Sequence, residues 1–143
     1  MTDRDTELNI RDGLEVLVVE DEALVAMEIE FMLEEAGHEA IASADDLEST
    51  LSAIENCEPD LALVDIQLAF GDSGLDVAKK LHERGIPVLF ATGNCPGEQG
   101  RPLALGCLHK PIVDRTLRAA LAAAKEKLAG REVPPLPSSV HFY

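Results

Sequence analysis

Short apolar runs recur along this chain, and each leads into polar residues. Leu14–Val19 (LEVLVV), His38–Ser43 (HEAIAS), Leu61–Asp65 (LALVD), Pro87–Thr92 (PVLFAT) and Gly106–His109 (GCLH) have the length and bounding turns of strands. Between them the apolar positions change to helical spacing. Ala23–Ala36 carries Val25, Ile29, Met32, Leu33 and Ala36 on one face and stops at Gly37. Leu47, Leu51 and Ile54 mark a second helix, capped by Asp45 with Glu48 and closed by Pro59. Leu75, Val77, Ala78 and Leu81 mark a third, capped by Ser73 with Asp76 and stopped by Gly85. Val113–Leu128 presents Leu117, Leu121, Ala124 and Leu128 and ends at Gly130. Gly93–Pro102 (GNCPGEQGRP) is too rich in glycine and proline for a long helix, so it predicts a loop or a short mobile helix.

Strands alternating with helices imply a doubly wound α/β fold. The expectation is a five-stranded parallel sheet in the order 2-1-3-4-5, with a shortened or mobile fourth helix. His38–Ser43 is the weakest strand and belongs near an edge. Residues 1–13 form a charged, flexible arm, 14–129 the folded domain, and 130–143 a proline-rich tail that does not fold alone. The tail's PPLP reads as a disordered end or as a polyproline ligand.

Composition narrows the partners. Apolar residues make up 46% of the chain but aromatics only 3%, so the core is aliphatic. The formal charge of −15 and the lack of any basic run exclude nucleic acid and a membrane surface. Cys57, Cys95 and Cys107 are odd in number and form no C-x-x-C pair, so neither a disulfide nor a zinc site is expected. With no leader and no spanning segment, the expected compartment is the cytoplasm. His38, His82, His109 and His141 lack metal-ligand spacing and take no role.

Polar groups fall at the carboxyl ends of the strands: Glu20–Asp21, Asp65, Thr92 and Lys110. Each has an ordinary use as a helix cap, a turn residue or a loop residue. Together on one rim they make a different object. Crowded carboxylates repel, and a hard cation such as Mg²⁺ relieves them through oxygen ligands. Asp65 is then a candidate nucleophile toward phosphorus. Lys110 supplies a point charge and Thr92 a hydroxyl donor for the added phosphoryl group.

With VLVVED (Val16–Asp21), LALVD (Leu61–Asp65), FATG (Phe90–Gly93) and HKPI (His109–Ile112), the chain resembles the receiver domain of two-component response regulators over residues 14–129. The resemblance implies a flavodoxin-like fold and phosphorylation of Asp65 by a phosphohistidine of a sensor histidine kinase or a histidine phosphotransfer protein. It implies Mg²⁺ held by Asp21, Asp65 and the backbone carbonyl of Gln67, with Glu20 acting through water. It implies Thr92 and Lys110 on the phosphoryl group and a cis peptide between Lys110 and Pro111. Gly85–Gly93 (GIPVLFATG) is similar to the single-domain subgroup known as FATGUY receivers, although Asn94 stands where that subgroup carries an aromatic. Cys107 occupies the position, three before the lysine, where ordinary receivers carry a switching aromatic. Ordering of the segment from Gly93 to Pro102 is therefore the expected route of signalling. Gln67 and Asn94, beside the phosphoryl site, are expected to influence hydrolysis.

The expected function is a stand-alone regulator whose phosphorylated surface, around residues 93–120, binds a downstream protein. The alternative is a phosphate sink or relay exchanging phosphoryl groups with kinases. A phosphatase of the haloacid dehalogenase kind also uses an aspartyl phosphate, but it wants a second acid where Gln67 stands. No enzyme activity is expected beyond self-phosphorylation and autodephosphorylation. The acidic face of the first helix (Glu28, Glu34, Glu35) reads as a solvated surface or a kinase dock.

Overall fold

Strand β1 (Glu15–Val19) lies between β2 (Glu39–Ala44) and β3 (Leu61–Val64), and β4 (Val88–Thr92) and β5 (Gly106–His109) continue the sheet. The computed structural model describes residues 13–68 and 73–143. The expected N-terminal arm, apart from Gly13, and the tip of the Gln67–Gly74 loop lie outside the described residues. β1 through β5 are parallel in the expected order, with β2 at one edge.

Side chains alternate across a strand, so each strand feeds two cores. On one face Val16, Val18, Leu61, Leu63, Leu89 and Leu108 meet α1 (Ala23–Glu35) and α4 (Asp114–Leu128) through Ile29, Leu33, Leu117 and Leu121. On the other Leu17, Val19, Ala62, Val64, Val88 and Phe90 meet α2 (Leu47–Asn56) and α3 (Gly74–Glu83) through Ile54, Val77 and Leu81. Burial on both faces is why β3 and β4 read as unbroken apolar runs.

The sheet has six strands, not five. The tail contributes β6 (Val140–Phe142), antiparallel to β5, with Leu108 opposite Val140 and Gly106 opposite Phe142. The stretch with Pro134, Pro135 and Pro137 has no helix or strand of its own, and the tail beyond it completes an edge that β5 would otherwise expose. Gly106 is required there, because a Cβ would strike the carbonyl of His141. Val140 is buried and Leu136 packs against the core.

The cysteine expectation is also corrected. Cys95 and Cys107 form a disulfide with Cα atoms 6.1 Å apart, and Cys57 is free. The connection from β4 to β5 turns back over the sheet and brings the two together, which counting and short spacing do not reveal. That connection holds a three-residue 3₁₀ helix at Gly97–Gln99, with Gly97 at φ +67°, in place of a full helix. The cap of α2 is shifted by one residue: Asp46, not Asp45, accepts from Ser49 N at 2.8 Å, and Ser49 Oγ returns a bond from Asp46 N. Ser73 caps α3 through Leu75 N as expected. The Lys110–Pro111 peptide is cis.

Candidate functional site

Parallel strands place their carboxyl ends on one rim, and the polar residues that follow them share it. Asp65 N donates to Val19 O at 3.0 Å and Glu20 N to Ala44 O at 2.9 Å, so the sheet's ladder fixes both acids before their side chains do anything. Glu20 and Asp65 are almost fully buried, whereas Asp21 is exposed. Carboxylate oxygens of Glu20, Asp21 and Asp65 lie within 4.8 Å of one another. Gly74 keeps the wall behind Asp65 close: a Cβ there would collide with Asp65 O and Ile66 Cα.

Lys110 reaches across this cluster from the end of β5. Its Nζ is 2.8 Å from Asp65 Oδ2 and 2.7 Å from Glu20 Oε1. The contact with Asp65 is a hydrogen bond. Glu20 Oε2 accepts from Glu22 N at 3.1 Å. Burial pushes the Glu20 carboxyl above its usual range, with Asp65's charge adding to that effect against the opposing pull of Lys110 and Glu22 N. Burial works against the Lys110 ammonium, yet its bonds to Asp65 and Glu20 outweigh this and hold it protonated above the usual lysine range.

Thr92 is buried at the end of β4, and its carbonyl accepts from Lys110 N at 2.9 Å. The hydroxyl accepts from Asn94 N at 3.4 Å. Gln67 N donates to Asp65 Oδ1 at 3.1 Å, while the Gln67 side chain is exposed. Gly93, Asn94 and Pro111 are exposed around the rim. Cys107 is fully buried in β5, opposite Phe90 and tied to Cys95.

Three acids against one ammonium leave the cluster negative, and all its side-chain donors toward a metal are oxygens. That set fits a hard divalent cation, and Mg²⁺ commonly binds through one or two carboxylates together with a phosphate oxygen. Glu20, Asp21 and Asp65 together could hold it.

The sequence pattern missed three features near the site. Leu24, Met27 and Phe31 are 70%, 62% and 66% exposed and form a second apolar stripe on α1. Their i, i+3, i+7 spacing was legible, but the first stripe already supplied a buried face. A groove of about 380 Å³ lies between α1 and the turn after β5, lined by Val25, Ile29 and Met32, the acidic Glu22 and Glu28, and residues 110–112. The other missed residue is Cys95, whose partner is distant in sequence.

A family model described as the response regulator receiver domain matches residues 16–122. The phyllosphere-induced regulator PhyR of Methylorubrum extorquens is 37% identical over 124 residues, covering 82% of this chain and 46% of that protein. The transcriptional regulatory protein PdtaR of Mycobacterium tuberculosis is 32% identical over 64% of this chain and 45% of its own length. The chain thus spans about half the length of these curated relatives. The solution structure of the receiver domain of Erythrobacter litoralis PhyR superposes with a TM-score of 0.69 at 28% identity, over 87% of this chain and 97% of that one. Crystalline PhyR of Brucella abortus gives a TM-score of 0.70 at 33% identity, over 82% and 51%.

Proposed function

Since the chain belongs to the response regulator receiver domain family, we propose that it is a two-component signalling regulator phosphorylated on Asp65. The donor is a phosphohistidine of a sensor histidine kinase or a histidine phosphotransfer protein, in the cytoplasm. The phosphorylated form acts by binding another protein. The single observation carrying this reading is the Asp65 carboxylate. It is buried at the end of β3, bonded to Lys110 Nζ at 2.8 Å and crowded by Glu20 and Asp21.

The chemistry is positioning and charge neutralisation. An Asp65 carboxylate oxygen attacks phosphorus in line, the donor's P–N bond breaks, and the imidazole departs with the electron pair. Bound Mg²⁺ would supply the positive charge that lets an anionic phosphoryl group approach three carboxylates. Lys110 turns from Asp65 toward a new phosphoryl oxygen without losing its pairing to Glu20. Thr92 turns its hydroxyl hydrogen toward another, while a lone pair of the same oxygen faces Asn94 N. Both moves pull on the Gly93–Leu105 connection, which coupled order in that segment would transmit. The apolar stripe of α1 and the adjacent groove support docking of the phosphodonor beside the site.

Incubation with acetyl phosphate and Mg²⁺ followed by intact-mass measurement tests the reading. One phosphoryl adduct is expected in the native chain and none in Asp65→Asn. An adduct that persists in Asp65→Asn overturns it.

A further inference from the structure

The disulfide has no part in the chemistry above, yet it brackets the groups that carry it. Cys95 follows Thr92 by three residues, and Cys107 precedes Lys110 by three. The bridge joins residues twelve apart in sequence and so closes a ring around most of the connection between the two phosphoryl-binding positions. Inside that ring the regular structure is the short 3₁₀ helix at Gly97–Gln99. Its backbone bonds are mostly local: Gly100 N to Gly97 O, and Leu103 N and Ala104 N to Gly100 O. Leu105 N to Val88 O is where it rejoins the sheet. A segment with so little regular bonding is held in place largely by side chains, and the covalent bridge is the strongest of them.

The two cysteines differ in exposure. Cys107 is fully buried between strands and helices, whereas Cys95 is only partly buried, on the outer turn. The more exposed Cys95 is the side from which an external thiolate would attack, which sets the polarity of exchange. Disulfides in a reducing compartment are commonly transient or redox-sensing rather than structural staples. Exchange at Cys95 would free the segment without touching the carboxylate cluster.

We propose that Cys95–Cys107 is a reversible thiol–disulfide site for a protein or small-molecule dithiol, and that its closed form holds residues 93–105 against the response to phosphorylation of Asp65. The coupling half rests on the phosphoacceptor reading, and the thiol half stands without it. In the opening step a dithiol's thiolate attacks Cys95 Sγ. The Sγ–Sγ bond breaks, and its electron pair leaves on Cys107 Sγ, which takes a proton. The dithiol's second thiolate then attacks the mixed disulfide and releases Cys95, also to be protonated. Two electrons have passed from the dithiol, now an internal disulfide, to the cysteine pair. The oxidised dithiol closes the bridge by the reverse sequence.

Two readouts on the full chain test this. After dithiothreitol treatment, timed alkylation with peptide mapping should label Cys95 before Cys107. Equal rates, or Cys107 first, overturn the polarity. Amide exchange over residues 93–106 is then measured with and without beryllofluoride and Mg²⁺, in oxidised and reduced protein. The reduced protein should change its protection by about fivefold or more, the lower end of ordinary coupling between sites. The oxidised protein should change far less. Cys95→Ser should respond under both conditions. An equal response in oxidised and reduced protein overturns the coupling. Fluorine NMR separates the two readings: beryllofluoride that never binds defeats the phosphoacceptor reading and the coupling with it, while the alkylation order still decides the thiol chemistry. Beryllofluoride that binds without any response in the reduced protein defeats the coupling alone.

Discussion

The two flanks of β3 are built differently. Toward β1 and β2, full helices α1 and α2 cover the sheet, and the acids Glu20 and Asp21 sit at its end. Toward β4, β5 and β6, one crossover shrinks to a 3₁₀ helix, a disulfide replaces helical bonding, and the tail supplies the edge strand. The first flank fixes charges where a cation and a phosphoryl group would meet. The second carries Thr92 and Lys110 on a connection with few regular bonds. Under the proposed function such a division suits a site that must both hold a geometry and report a change: the regular flank would place the chemistry and the irregular flank would read it out.

Breaking the regular flank should cost the most. Leu63 is buried in β3, in the core it shares with Ile29 and Leu33 of α1, and Leu63→Ala should lower unfolding stability by about 3–5 kcal/mol in urea titrations. Opening the bridge, by Cys95→Ser or by reductant, removes a short-loop cross-link and should cost about 3 kcal/mol. If opening the bridge costs clearly more than Leu63→Ala, the contrast between flanks is drawn the wrong way round. Val140→Ala loses two buried methyl groups from β6 and should cost about 1.5 kcal/mol, confirming that the tail is part of the sheet. Asp46→Ala removes the cap of α2 and should cost about 1 kcal/mol, whereas Asp45→Ala should cost clearly less.

The smallest effect concerns pH. His38 Nδ1 accepts from Leu14 N at 2.9 Å, and burial, aided by Lys125 and Arg118, lowers the imidazole pKa from its ordinary 6.5. The unfolded chain therefore binds this proton more readily than the folded one. The histidine costs nothing above the unfolded value, and stability falls as pH drops below about 6.5. Urea midpoints between neutral pH and mild acid should show this fall in the native chain and a weaker one in His38→Gln.

Much of this was legible in the sequence, for identifiable reasons. β1 through β5 and the four helices announce themselves because their apolar periods reflect burial on both faces of one sheet. Glu20, Asp21, Asp65, Thr92 and Lys110 were legible as a group because a parallel sheet sends every strand's carboxyl end to the same rim. The tail strand was not, since Val140–Phe142 is too short to show a period and its pairing depends on the edge that β5 presents. Cys95 was missed because its bond is set by how the β4–β5 connection folds back, a long-range event with no local spacing. The second stripe of α1 was missed because an apolar residue on a helix looks buried until the partner layer is known. Asp45 and Asp46 differ by one position, and only backbone geometry chooses between neighbouring caps.

The most direct test of the central claim locates the phosphoryl group chemically. The chain is phosphorylated from acetyl phosphate with Mg²⁺, reduced with borohydride to convert an aspartyl phosphate to homoserine, and digested for peptide mapping. Homoserine at position 65, absent without phosphorylation and absent when Mg²⁺ is chelated, is the predicted result. Homoserine at Asp21 or elsewhere, with residue 65 still aspartate, would contradict it.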